Sequence, residues 1–196
     1  MMFERCMKFV KVAEGGANFD VVNGKPVLKP NSRNDRGGPT KYGITWGTLA
    51  KAYSQGLVNH NDITRLTKPE ADAIYEAMYW RPSRSDKLPW GLCLVHFDCA
   101  VNSGVGGAGK LLQRSVNDLL TARKITVDGI IGPDSLRAVG EVPLDALTAR
   151  YLDVREMFYR GLVAKDPGQG TFLPGWLNRL KRLRREIAAR TEVAAV

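Results

Sequence analysis

Apolar residues recur at helical spacing from the start of the chain: Phe3, Cys6, Met7, Val10 and Ala13 share one face, and Gly15-Gly16 stops the run. The pattern predicts a helix over residues 2–13. From Ala17 to Thr45 the helical period gives way to turn chemistry. Asn23-Gly24 between Phe19–Val22 and Pro26–Leu28 predicts a small hairpin, and Thr45, following Gly37-Gly38-Pro39, is placed as the N-cap of a helix through Tyr53. Thr67-Lys68-Pro69-Glu70 reads as a capping box with proline in the first turn, launching a helix to about Trp80 with Ala71, Ile74, Tyr75 and Met78 inward and Pro82 beyond its end.

Leu88 to Asn102 is apolar nearly all round, the signature of a helix buried on every side. A glycine-rich break over Gly104–Gly109 is expected to separate it from a helix over Lys110–Leu120. Asp128–Pro133 predicts a tight turn opening a short helix at Pro133, and two longer helices follow, Leu144 to about Val163 and Trp176 to about Arg190, joined by the short linker Asp166–Gly170. The expected fold is mainly α: a helical bundle around a central buried helix, with a small β-hairpin and loop region near residues 17–45.

Composition keeps this picture and adds a charge. With 196 residues, 44% of them hydrophobic, the chain suffices for one compact domain, and its net charge of +9 predicts attraction to a polyanion such as nucleic acid, an acidic membrane surface or an anionic wall polymer. No RNP, zinc-finger or other specific motif supports nucleic acid. Cys6, Cys93 and Cys99 are odd in number and lack metal-ligand spacing, so they are read as free, buried thiols of a reducing compartment, with no metal site and no cofactor. The charged N-terminus lacks the apolar core of a secretory signal, and no run is long enough to span a bilayer, so the chain is expected to begin in the cytoplasm.

The candidate chemistry gathers around Glu14. A carboxyl group at a helix C-terminus faces the negative end of the macrodipole, and apolar neighbours such as Val10 and Phe19 desolvate it; both favour the protonated form, which a general acid needs. The plain alternative is a solvated residue before a glycine cap. Asp35 and Asp20 are the candidates for a second carboxylate, and Thr40 and Thr45 for hydroxyls that hold a water. Tyr42 and Trp46, beside this loop, are candidates for a substrate wall. Asp98 and Asn102, a helical turn apart, either face a sugar from the central helix or cap and cross-link helices. The tryptophans at 80, 90 and 176 are more readily core residues than sugar platforms, and His60 and His96 are read as structural or surface residues. The basic residues Arg179, Lys181, Arg182, Arg184 and Arg185 form either a solvated helix face or a patch for an anionic wall or bilayer.

The order of these pieces resembles glycoside hydrolase family 108, the N-acetylmuramidases found as phage endolysins and related lysozyme-like proteins. The likeness rests on Phe9–Gly16 and Asp35–Thr45, then on Phe97–Gly104, Leu111–Asn117 and Asp128–Pro133, which resemble the family's C-terminal peptidoglycan-binding half. The resemblance implies a lysozyme-like catalytic part over residues 1–105 and a helical peptidoglycan-binding-like part over 106–196, packed as one compact unit. It places the family's catalytic glutamate on Glu14 and its loop aspartate and threonine on Asp35 and Thr40. The chain departs from the family in having Ala17, not an aromatic residue, after Glu14-Gly15-Gly16, and in an insertion around Gly24–Pro30. The implied function is a monomeric hydrolase of the bond between N-acetylmuramic acid and N-acetylglucosamine, held in a host cytoplasm until release and then acting on the periplasmic wall. The alternatives are a lytic transglycosylase and a non-catalytic peptidoglycan-binding protein.

Overall fold

In the computed structural model the described residues are 1–14, 16–29 and 38–193, and the side chains of 11–14 and 190–193 lie outside that description. The chain divides into two compact units, Met1–Pro82 and Ser83–Val196.

The first unit opens with helix α1 (Met2–Glu14), whose Cys6, Met7, Phe9 and Val10 are buried as the spacing requires. Strands β1 (Phe19–Val22) and β2 (Lys25–Leu28) pair antiparallel with Phe19 opposite Leu28 and Val22 opposite Lys25. Asn23 and Gly24 close this hairpin at φ 51° and 73°, the left-handed pair that a two-residue turn with the strands' own twist demands. A second, shorter hairpin was not legible in the sequence: β3 (Thr40–Lys41) pairs with β4 (Ile44–Thr45) around Tyr42 and Gly43, at φ 53° and 77°. Tyrosine carries no glycine-like licence for that region, and the Tyr42 carbonyl is held there by the Tyr75 hydroxyl at 3.2 Å.

Helix α2 (Trp46–Ser54) starts at the Thr45 cap, and α3 (Lys68–Tyr75) at the complete Thr67–Glu70 capping box. The helix expected to reach Trp80 changes pitch after Tyr75 into one π turn, Glu76–Trp80, in which Arg81 N–H donates to the Glu76 carbonyl. Trp80 is core, with its ring 5.6 Å from that of Phe3.

The second unit is built around α4 (Leu92–Ser103), in which every residue from Leu92 to Ala100 is buried. It begins later than the apolar run suggested, because Gly91 at φ 84° ends the preceding irregular stretch. The expected break over Gly104–Gly109 shrinks to Gly104 alone, at φ 76°, and α5 runs Val105–Leu119 with three glycines inside it. A close approach explains Gly109 and, across from it, Gly129. A Cβ on Gly109 would stand 2.2 Å from the Gly129 carbonyl oxygen, and one on Gly129 would stand 2.6 Å from that of Gly106. Buried Gln113 locks the same contact: its Oε1 accepts from Gly129 N–H at 2.8 Å, and its amide donates to Asp128 Oδ1 at 2.7 Å and the Ile130 carbonyl at 3.1 Å. The Gln113 bond holds the Asp128 carboxyl below its ordinary range.

Helix α6 (Pro133–Gly140) starts at Pro133 as its turn predicts, and α7 (Leu144–Lys165) and α8 (Leu173–Val193) are joined by a 3-10 stretch, Pro167–Phe172. Tyr151 and Arg155 of α7 lie in the interior against α4. His96 lies 2.9 Å through Nδ1 from the Tyr151 hydroxyl and donates through Nε2 to the Ser83 carbonyl at 3.0 Å; burial pushes its pKa down to about 4, so the ring is neutral. Cys6, Cys93 and Cys99 are buried thiols, and burial pushes Cys99 above its ordinary value. Among the described residues no helix is long and apolar enough to cross a membrane.

Candidate active site

The candidate site gathers where α1 ends. Glu14 is the last residue of that helix; its side chain, with Gly15 and Asp35, lies outside the described residues. The segment leaving α1 is nonetheless fixed four residues on. Asn18 N–H donates to the Thr40 carbonyl at 3.0 Å, Asn18 Oδ1 accepts from Thr40 N–H at 2.7 Å, and Asn18 Nδ2 donates to the Gly38 carbonyl at 3.1 Å. Its own carbonyl accepts from Lys29 N–H, closing the base of the first hairpin. One asparagine therefore binds the exit of α1, the first hairpin and the strand carrying Thr40.

Thr40 is half-buried and its hydroxyl donates to the Gly38 carbonyl at 3.1 Å, which leaves the oxygen's lone pairs to accept a hydrogen bond from a water or sugar hydroxyl. Thr45 is committed differently. Its Oγ1 accepts from Thr48 N–H at 3.2 Å and shares a hydrogen bond with the Thr48 hydroxyl at 3.0 Å, the work of a helix cap. Trp46 N–H donates to the Pro39 carbonyl, tying the start of α2 to the same loop.

Tyr42 and Trp46 are shaped for a wall. Trp46 is 49% exposed while its indole N–H is pinned to the Asn61 carbonyl at 3.1 Å, so an oriented ring faces solvent. The Lys41 ammonium stands 5.6 Å from the centre of the half-buried Tyr42 ring and donates to the Thr64 carbonyl at 2.7 Å. Asp20 is exposed on β1, opposite Val27.

Asp98 and Asn102 belong to the second unit, and there Asp98 is a cross-link. Its carboxylate is 0% exposed, with Oδ2 accepting from Arg155 at 2.8 Å and Oδ1 from Arg179 at 2.8 Å. Arg155, itself fully buried, donates further to the Val95 carbonyl and the Tyr159 hydroxyl. This corrects the expectation that Asp98 faces a sugar: both oxygens are consumed by guanidinium groups from helices far along the chain. Asn102 is exposed, and its amide donates back to the Asp98 carbonyl at 2.8 Å. The same pairing removes Arg179 from the basic face of α8, and Arg184 is paired with Asp153, whereas Lys181 and Arg185 are exposed.

Asn18 and Gln113 are the residues the sequence reading missed. Asn18 is an amide directly before a strand, where a side chain can replace a backbone partner, and that was its available signal, whereas Gln113 lies inside α5 and its partners come 15 to 22 residues later.

Comparison with known proteins adds the family context. Residues 9–104 match the profile described as Glycosyl hydrolase 108, and residues 107–181 match the Predicted Peptidoglycan domain. The solved structure of SagA from Brucella abortus is similar at 32% identity, over 96% of this chain and 94% of that one, with a TM-score of 0.74. No curated protein matches.

Proposed function

Since the chain belongs to glycoside hydrolase family 108 and is a glycoside hydrolase of peptidoglycan, we propose that it is an N-acetylmuramidase with Glu14 as its general acid. The observation that carries this reading is the Asn18 clamp, which returns Thr40 to the segment that leaves Glu14. A glycosidase needs a proton donor and a group opposite it that positions water or meets the cation, and the two come here from elements tied by one side chain.

In this mechanism the Glu14 carboxyl gives its proton to the glycosidic oxygen between N-acetylmuramic acid and N-acetylglucosamine. The C1–O bond breaks with its electron pair on the departing oxygen, and positive charge develops at C1 of the muramic acid. A water that donates a hydrogen bond to the Thr40 hydroxyl adds to C1 and loses a proton to Asp35. Tyr42 and Trp46 form the wall against which the sugar rings lie, and Thr45 acts indirectly, by fixing the start of α2. Residues 1–105 carry the cleavage and 106–196 hold the wall. The protein acts as a monomer in phage-induced lysis, waiting in the host cytoplasm until a separate membrane pore gives it access to the wall, where Lys181 and Arg185 add electrostatic contact.

Glu14→Gln keeps the shape and removes the proton. Release of reducing ends from purified sacculi is expected to fall to background. Persistent lysis by the variant would leave Glu14 without the acid role, and products with 1,6-anhydro ends in place of reducing ends would make the enzyme a lytic transglycosylase.

A further inference from the structure

The peptidoglycan-binding segment has a groove between α5 and α7, about 360 Å³ in volume. Leu111, Arg114 and Asp118 recur at helical spacing on α5, and Arg150, Val154, Met157 and Phe158 do so on α7, so each helix contributes one continuous face. The floor is apolar: Leu111 and Val154 are buried, while Met157 at the lip is 62% exposed. A volume of this size suits a short ligand segment.

The charges in the groove are not self-satisfied. Arg150 is bound to Asp118 Oδ2 at 2.7 Å, which leaves Asp118 Oδ1 open. Arg114 is exposed and makes no hydrogen bond or ion pair among the described residues. A guanidinium that stands over an apolar floor beside a half-used ion pair fits a short chain bearing carboxylates, an ammonium group and methyl groups.

Peptidoglycan contains one component of that chemistry. Its glycan strand offers hydroxyls and acetamides without charge, because the lactyl carboxyl is taken up in an amide. Its stem peptide carries free carboxylates, alanine methyl groups and a diamino residue. We propose that the α5–α7 groove binds the stem peptide, with Arg114 holding a carboxylate, Asp118 the ammonium group, and Leu111, Val154 and Met157 the methyl groups. The inference rests on peptidoglycan being the substrate and is independent of Glu14 as the acid.

The test uses the full-length Glu14→Gln protein, titrated by calorimetry with synthetic L-Ala-γ-D-Glu-meso-diaminopimelyl-D-Ala and, separately, with chitotetraose. The tetrapeptide binds, and Arg114→Ala weakens it by about tenfold or more while leaving chitotetraose affinity unchanged. Met157→Asp, at an exposed position, has the same selective effect, and Arg81→Ala in the first unit has none. The proposal is overturned if the tetrapeptide fails to bind at millimolar concentration, if Arg114→Ala leaves its affinity unaltered, or if chitotetraose affinity falls equally. It is also overturned if Arg114→Ala weakens binding only to anionic phosphatidylglycerol vesicles. If wild-type protein releases no reducing ends from sacculi while the tetrapeptide still titrates, the muramidase reading fails and the groove stands.

Discussion

Asp98→Ala tests the centre of the second unit. The substitution leaves Arg155, 0% exposed, with only neutral partners, the Val95 carbonyl at 3.1 Å and the Tyr159 hydroxyl at 3.0 Å. Two charge-assisted bonds of 2.8 Å disappear. At about 1.5–3 kcal/mol each they amount to about 3–6 kcal/mol, in line with the ~3–5 kcal/mol observed when one member of a buried ion pair is removed. Against a typical total of about 5–15 kcal/mol, this is enough to leave the variant barely folded. Urea unfolding followed by far-ultraviolet circular dichroism measures the loss, and it should persist in 1 M salt, because a pair excluded from water is poorly screened. The paired replacement Asp98→Leu with Arg155→Met removes the two fully buried charges and leaves only Arg179, 12% exposed, without this carboxylate, so it is expected to recover part of the loss. A loss below about 1 kcal/mol for Asp98→Ala would refute the reasoning, since the guanidinium would then have water to turn to. A rise in KM with stability unchanged would instead restore Asp98 to a sugar-facing role.

The remaining expectations concern other elements. Asn18→Ala removes two side-chain bonds that place Thr40 and Gly38; kcat on sacculi is expected to fall about tenfold with KM little changed, and Asn18→Asp, which keeps the acceptor for Thr40 N–H, should lie between the two. His96 has its pKa depressed from 6.5 to about 4 by burial, so its contribution is complete above pH 6.5 and is lost as pH falls towards 4. The loss is worth about 3 kcal/mol, and the part of the acid slope of unfolding free energy that vanishes in His96→Gln measures it. Gly109→Ala drives a Cβ to 2.2 Å from a carbonyl oxygen and should cost about 3 kcal/mol or more by thermal denaturation. Gly107→Ala, which meets only Ser103 Cβ at 3.5 Å, should stay within about 1 kcal/mol of wild type.

What could be read from the sequence was governed by how far apart the interacting residues lie. The Thr67–Glu70 box, the Asn23-Gly24 turn, the Thr45 cap and the Pro133 helix start depend on neighbours within a few positions, and all were legible. The glycine run of α5 reads as a break because the reason for Gly109 lies at Gly129, in a turn that packs against the helix. Asp98 could not be assigned because its partners come 57 and 81 residues later. Around the candidate site, the hairpin centred on Tyr42 was hidden because a tyrosine at positive φ gives no turn signal; its carbonyl is held by Tyr75, a residue of α3. Asn18 lacked a signal specific enough to separate it from any other polar residue before a strand.

The contact between Gly109 and Gly129 has a bearing on how this protein can change over generations. Most harmful core substitutions have suppressors, because a neighbouring side chain can shrink to make room. Here each absent Cβ would meet main-chain atoms, Gly129 O for one glycine and Gly106 O for the other, and no substitution shortens a carbonyl. A selection for second-site rescue of Gly109→Ala should therefore return true revertants or changes that rebuild the Asp128–Gly132 turn by insertion or deletion, and no compensating point change in the surrounding side chains.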